Sequence, residues 1–206
     1  MLNKKFIIVA NGEFKNESIN HSDFDLICAC DGGYKYLEKL NIVPDIAIGD
    51  FDSLGYVPKC KEVIKLDVNK DETDLFHAIS VGINKGYENF EIYGATGKRE
   101  AHTIANFQIL YYLRRLNLKG VLINGLNRYF CLSNETVKLN YKKGYISIFS
   151  FTPKSIVTLE NLKYNLNAHK ITNYFPLGID NEFINKEATI KVISGAVLVI
   201  VEPVEW

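Results

Sequence analysis

The sequence is poor in several things, and each shortage excludes something. Four cysteines, one methionine, one tryptophan and five prolines are spread over 206 residues. Cys28, Cys30, Cys60 and Cys131 form no C-x-x-C pair and no dense framework, which excludes a disulfide-stapled scaffold and points to a reducing compartment. No apolar run approaches the roughly 18 residues of a membrane-spanning helix. The run at 6–10, behind Lys4 and Lys5, is too short for a signal-peptide core and is cut by Asn11-Gly12, so a cytoplasmic location and no membrane partner are expected. Net charge is missing too, because 24 basic and 24 acidic groups cancel. Without a basic excess no global field holds nucleic acid, which is therefore not an expected partner. There is no G-x-G-x-x-G, no G-x-x-x-x-G-K-[ST] and no G-x-S-x-G, so Rossmann, P-loop and acyl-enzyme chemistry lack support. His21, His77 and His169 stand in no metal-ligand spacing.

What is present is a core and an uneven distribution of charge. Hydrophobic residues make up 47% of the chain, enough for one large or two small domains. The first hundred residues hold 17 acidic and 12 basic groups, and the remaining 106 hold 7 and 12. The carboxylates are concentrated early.

Short apolar runs at 6–10, 26–30, 46–48, 63–66, 90–93 and 121–123 alternate with helical patterns at 33–40, 73–84 and 103–116. Strands apolar on both faces and separated by helices predict a mostly parallel sheet with flanking helices. After residue 125 the helical period disappears. Strand-like runs follow at 129–132, 136–139, 145–151, 156–159, 171–175, 189–193 and 196–201, with Lys142-Lys143-Gly144 and Ile193-Ser194-Gly195 reading as hairpin turns. The expected architecture is an α/β domain over 1–125 followed by an all-β sandwich domain over 126–206. Cys28 and Cys30 share one strand face and read as buried thiols.

Ligands of an open parallel sheet sit beyond the carboxyl ends of its strands, and here those ends are polar. Asp31-Gly32-Gly33 follows the second run, Gly49-Asp50-Phe51-Asp52-Ser53 the third, and Gly94-Ala95-Thr96-Gly97-Lys98-Arg99 the fifth. In extended backbone Asp50 and Asp52 would share one side, a pattern that suits magnesium; a turn capped by two aspartates gives the same sequence. Asp71-Glu72-Thr73-Asp74 opens a helix, where capping and cation binding both favour such residues. Capping does not account for carboxylates at two strand ends and a helix start together, since gathered anions repel unless a cation neutralises them. The glycines let backbone N–H groups approach phosphate, and Arg99 presents a planar fork for it. His102 and Asn106 share a helix face, where a lone histidine is more often structural than catalytic.

In order and spacing these segments, with Pro44-Asp45, Leu162-Lys163-Tyr164-x-Leu166 and Gly178-Ile179-Asp180-Asn181-Glu182, resemble the thiamine pyrophosphokinase family along nearly the whole chain. The resemblance implies transfer of the pyrophosphoryl group of ATP to the hydroxyl of thiamine, giving thiamine diphosphate and AMP. It implies a Mg2+ cofactor held by Asp50, Asp52 and Asp74, with Asp71, Arg99 and His102 as catalytic residues. Asp31, Gly32, Gly33, Ser53, Thr73 and Asn106 would bind the nucleotide, Asp180 and Asn181 would meet thiamine, and the partner would be a second copy in a homodimer. Three positions depart from the family pattern: Ala101 stands before His102 where the family has aspartate, Asp180 where it has serine, and Lys98 where it has glycine. An alanine methyl neither binds a cation nor accepts a proton, so lowered activity is one expectation. A catalytically silent binder of thiamine or nucleotide is a second reading, and a nucleotide-sugar transferase built on Asp50-Phe51-Asp52 a third. Phe183 reads as a core aromatic or as a surface for a pyrimidine, and Trp206 as a packing residue.

Overall fold

A computed structural model of the chain describes residues 4–15, 18–22, 25–67 and 71–204; Trp206 lies outside them. The chain forms two compact units, Met1–Ile109 with Leu118–Gly125, and Leu110–Asn117 with Leu126–Trp206.

In the first unit the strands are β1 (Phe6–Val9), β2 (Leu26–Cys30), β3 (Ile46–Gly49), β4 (Glu62–Lys65), β5 (Asn89–Tyr93) and β6 (Lys119–Asn124), and the helices are α1 (Tyr34–Lys39), α2 (Asp74–Asn84) and the part of α3 (Glu100–Arg115) up to Ile109, its remainder belonging to the second unit. All pairings among these strands are parallel, in the order β6-β5-β1-β2-β3-β4. The order reverses direction at β1, which makes the carboxyl ends of β1 and β5 the crevice of the sheet.

Alternation along the strands assigns the two faces. Ile7, Val9, Ile27, Ala29 and Ala47 pack with Tyr34 and Leu37 of α1. Their neighbours Phe6, Ile8, Cys28, Cys30, Ile46 and Ile48 are just as buried and point to the opposite face. That face takes α2. A Cβ on Gly82 of this helix would stand 2.5 Å from Cε1 of Phe90 and 2.9 Å from Cγ of Phe6, so the helix approaches this closely because residue 82 has no side chain.

Helix starts follow local chemistry. Thr73 caps α2, its hydroxyl accepting the Phe76 N–H at 3.2 Å, so the helix begins one residue after the expected start. Helix α3 begins at Glu100, three residues before the apolar period does, because Glu100, Ala101 and His102 are exposed and give that period nothing to register. The pattern at 33–40 divides into a single 3-10 turn, Asp31–Gly33, and then α1. The start of β3 is pinned to β2 by Asp45, whose N–H donates to the Ile27 carbonyl at 2.9 Å while its carboxylate accepts the Ile27 N–H at 3.1 Å.

The second unit contains β7 (Asn127–Ser133), β8 (Thr136–Leu139), β9 (Gly144–Ser150), β10 (Lys154–Glu160), β11 (Leu166–Thr172), β12 (Asn181–Glu182), β13 (Ala188–Ser194) and β14 (Ala196–Pro203). They form two antiparallel layers, β12-β9-β14-β7 and β11-β10-β13-β8. Ile146, Ile148, Val197, Val199 and Val201 from one layer meet Val157, Leu159, Ile171, Ile190 and Val192 from the other in a shared core, the arrangement of a β-sandwich. Phe183 lies in that core.

Two expected hairpin turns prove to be something else. Lys142-Lys143-Gly144 joins β8 to β9 and Ile193-Ser194-Gly195 joins β13 to β14, and in both cases the two strands belong to different layers. Turn residues mark a reversal but not which strand is the partner. The strand expected at 171–175 is the end of β11, an edge strand whose exposed Asn167, Ala168, His169 and Lys170 hide it from an apolar pattern.

Two predictions follow from this packing. Helix propensity alone favours Gly82→Ala by about 1 kcal/mol, but the buried rings of Phe6 and Phe90 have no room to retreat. The variant is expected to unfold at lower denaturant concentration, with a net loss of about 1–3 kcal/mol. The second concerns Asp45. Burial alone would raise its carboxyl, but hydrogen bonds from Lys61 Nζ and the Ile27 N–H outweigh that and hold it below its ordinary value. Such a group contributes stability above its unfolded pKa of about 3.9 and loses it as pH falls through the folded value. In urea unfolding, Asp45→Asn should therefore be less stable than wild type at pH 7, with the gap closing as the medium is acidified to about pH 3.

Candidate active site

At the carboxyl ends of β1, β2, β3 and β5 the first unit encloses a cavity of about 640 Å³. Asp31, Asp50, Asp71, Thr73 and Asp74 line it from one side, and Arg99, His102 and Asn106 from the other. Glu72 adds a fifth carboxylate, and Lys98 a second cation. Eight of the residues singled out from the sequence are thus brought to one place.

Each carboxylate is positioned by local backbone. Asp31 ends β2 with φ at 45°, in the left-handed region. One carboxylate oxygen accepts the Ser53 hydroxyl at 2.8 Å; the other is buried without a hydrogen-bond partner. Phe51, between Asp50 and Asp52, has φ at 62° and a buried ring, so this segment is a turn and not extended backbone. The Asp52 N–H donates to the Asp50 carboxylate at 3.0 Å. Asp50 faces the cavity, whereas Asp52 is exposed and does not line it. The extended backbone expected at 50–52 is corrected here: the apolar Phe51 reaches the core on a turn, and of its two neighbours Asp50 lines the cavity. Asp71, Glu72 and Asp74 are set by the capped start of α2. The Cys30 thiol reports how near the carboxylates lie: it is pushed well above its ordinary value by its hydrogen bond with Cys28, then by burial and the charges of Cys28, Asp74 and Asp31. Both cysteines are free, buried thiols.

The opposite wall depends on amides. Asn106 is buried and donates to the Ala95 carbonyl at 2.6 Å, which fixes the turn after β5 against α3. Asn124 does the same from β6, donating to the Thr96 hydroxyl at 3.0 Å. Ala101 is exposed and is not part of the cavity wall. Lys98 is more constrained than its sequence position suggests: its Nζ donates to the Asn11 carbonyl at 2.8 Å, the Asn11 side chain at 3.2 Å and the Tyr36 hydroxyl at 3.1 Å.

Some readings of the sequence change. Gly33 does not line the cavity; a Cβ there would stand 2.1 Å from the Val9 carbonyl oxygen, so this glycine lets the turn pack on β1. Gly32 is likewise outside the acidic cavity, against the Asn11 side chain. Ser53 acts through Asp31. In the second unit Asn181 is buried, its amide donating to the Tyr164 carbonyl at 2.7 Å and its oxygen accepting the Tyr164 N–H at 2.9 Å. Asn181 is committed to the fold, which leaves the exposed Asp180 as the polar group of that segment. Asn11, one of the polar residues directly after the first strand, lines the cavity and accepts from Lys98.

Among the described residues no group of three or more His, Cys, Asp or Glu side chains is drawn close enough to hold a metal ion unaided. Magnesium does not require that, since it keeps several waters and completes its shell with substrate phosphates. The unpartnered Asp31 oxygen and the acceptor-only donor set fit such an ion.

An α/β unit that collects carboxylates at its strand ends, joined in sequence to a β-sandwich, defines the class. Residues 18–122 match the thiamin pyrophosphokinase catalytic domain, and residues 132–197 match the thiamin pyrophosphokinase vitamin B1 binding domain. Thiamine pyrophosphokinase of Bacillus subtilis (strain 168) is 31% identical over 179 residues, covering 82% of this chain and 84% of that protein. A crystal structure of thiamine pyrophosphokinase from Bacillus subtilis superposes with a TM-score of 0.87 at 28% identity, over 97% of this chain and 99% of that one. The Geobacillus thermodenitrificans structure shares the fold, with a TM-score of 0.84 at 22% identity over 98% of each chain. The chain belongs to the thiamin pyrophosphokinase family.

Replacing the buried Asn181 by Ala leaves the N–H and carbonyl of Tyr164 without the amide that pairs with them. The expected result is a loss of about 1–3 kcal/mol in unfolding free energy, measured by urea denaturation without any ligand.

Proposed function

We propose that the protein transfers the pyrophosphoryl group of ATP to the hydroxyl of thiamine, releasing AMP. The observation that carries this reading is the convergence of five carboxylates and Arg99 on one cavity at the crevice of the sheet. In the reaction the thiamine hydroxyl oxygen bonds to the β-phosphorus, the bond from that phosphorus to the bridging oxygen of the α-phosphate breaks, and the hydroxyl proton is lost to a base. Positioning and charge neutralisation do most of the work in such transfers.

Asp50, Asp71 and Asp74 would hold Mg2+, whose chemistry is to neutralise the phosphate oxygens as charge shifts between them. Asp31, oriented by Ser53, adds an acceptor beside them. Arg99 grips the transferred phosphates through paired N–H donors. His102 and Asn106 lie on the same helix face, His102 available for proton transfer and Asn106 holding the turn that places Arg99. Thr73 caps α2 and fixes Asp74, and Asp52 completes the Asp50 turn without facing the cavity. In the second unit Asp180 is the candidate contact for the cationic acceptor. That unit also exposes Tyr174, Phe175 and Ile179 around Asp180, an apolar surface that supports the proposal of a homodimer. A nucleotide-sugar transferase built on Asp50-Phe51-Asp52 would leave Asp71, Glu72 and Asp74 of the same cavity without a role.

Ala101 favours a second reading, the silent binder, because the family pattern has a carboxylate there. Its exposure outside the cavity wall argues the other way, since the acidic set is complete without it. With ATP, thiamine and Mg2+ supplied together, AMP and thiamine diphosphate are expected from wild type. The Ala101→Asp variant is expected to change kcat by less than about tenfold, short of the 10²–10⁴ that a general base supplies. AMP from the variant alone would make residue 101 the base position. Thiamine binding without AMP from either protein would establish the silent binder.

A further inference from the structure

The turn after β5 holds two successive residues in left-handed backbone, Gly97 with φ at 71° and Lys98 with φ at 54°. Glycine adopts that conformation freely and lysine does not, so residue 98 carries strain that something must offset. The long side chain supplies the offset. Its ammonium donates to the carbonyl and the side chain of Asn11, directly after β1, and to the hydroxyl of Tyr36 on α1. An ammonium has three N–H donors, and these three acceptors take them all. A phosphate could be served by Lys98 only if one of those bonds were given up.

The acceptors are themselves fixed. Tyr36 donates to the Gly12 carbonyl at 2.7 Å, and its ring stacks on Phe14 with centroids 4.8 Å apart and planes 12° apart. The N–H groups of Gly12 and Glu13 donate to the carbonyls of Gly94 and Thr96. The loop after β1 is therefore joined to the turn after β5 at both ends, by main chain at residues 94 and 96 and by the Lys98 side chain beyond them. The residue that this affects is the next one in the chain. Arg99 faces the acidic cavity immediately before α3, and the direction in which it leaves the turn is set by the backbone of residue 98.

We infer that Lys98 is a positioning residue for Arg99: its anchored ammonium locks the strained turn and so aims the guanidinium at the phosphates, without binding them itself. Where the family pattern has a glycine free to take this conformation, the chain has a side chain that holds it. The inference rests on reading the acidic cavity as a phosphate site gripped by Arg99.

Lys98 and Arg99 are both exposed, so replacing either opens no core. The whole protein would be titrated calorimetrically with inorganic pyrophosphate in the presence of Mg2+. Lys98→Gly permits the same backbone and removes the anchor; it is expected to weaken binding about tenfold, as is Arg99→Ala. The double variant is expected to bind no more weakly than Arg99→Ala alone, the non-additivity of residues that act as one unit. Tyr36→Phe keeps the ring and the charge at residue 98 but removes one acceptor, and is expected to weaken binding about threefold. Losses that add in the double variant, or tighter binding by Tyr36→Phe, overturn the inference, because the ammonium would then serve the phosphate itself. Binding unchanged in Lys98→Gly but weakened in Arg99→Ala overturns the inference and leaves the reading of the cavity standing. Binding unchanged in Arg99→Ala, or absent from wild type, overturns both. The expected binding pattern with no AMP formed from ATP and thiamine would retain the role of Lys98 and remove the catalytic reading.

Discussion

Like charges held together are the constraint on which the rest of the first unit depends. Asp31, Asp50, Asp71, Glu72 and Asp74 reach one cavity from the end of β2, the end of β3 and the start of α2. Like charges gathered at one site repel one another and disfavour each other's ionised form. The carboxylates stay together because their backbones are not free to move apart. Strands β1, β2 and β3 are buried on both faces, and each fully buried Ile, Leu or Phe contributes about 1.5–3 kcal/mol. The core on either side of the sheet sustains the repulsion at its edge, which a bound cation would relieve.

The turns at that edge carry a conformational cost as well. Asp31, Phe51 and Lys98 all have positive φ, each in a different loop around the same crevice. Left-handed backbone costs roughly 1–2 kcal/mol for a residue with a side chain. Each case has its own compensation: the Ser53 hydroxyl on Asp31, burial of the Phe51 ring, and three acceptors around the Lys98 ammonium. Backbone of this kind persists where surrounding contacts over-determine it, which is the condition of a preorganised site.

Most of the architecture could be read from the sequence because it rests on local signals. Apolar runs bounded by Gly, Asp and Asn marked the six parallel strands, and the loss of helical period after residue 125 marked the sandwich. The residues that meet at the cavity were legible because an open parallel sheet puts its loops at one edge. What could not be read was longer in range or finer in geometry. Which layer a strand joins after Lys143 or Ser194 depends on the core of Ile146, Val157, Ile190 and Val199, and no turn residue encodes that. The turn at Asp50-Phe51-Asp52 depends on where Phe51 finds its core, which a two-residue spacing does not reveal. The hold on Lys98 was equally out of reach, because its acceptors, Asn11 and Tyr36, are 87 and 62 positions away.

The division of labour among the motif residues follows from what each group can donate and accept. An amide has both donors and an acceptor, so it can bridge a backbone carbonyl and N–H, as Asn181 does with Tyr164 and as Asn106 does in part with Ala95. An ionised carboxylate only accepts. After Asp31 has taken the Ser53 hydroxyl and Asp50 the Asp52 N–H, the second Asp31 oxygen has no hydrogen-bond partner among the described residues. Such an oxygen is open to water or a cation, whereas the amides beside it hold the chain, Asn106 at the Ala95 carbonyl and Asn124 at the Thr96 hydroxyl. The same motif therefore supplies two materials: amides that make the loops rigid, and carboxylates that the rigid loops keep unsatisfied. A site built this way would bind charge without rearranging, because its loops are held by bonds within the chain.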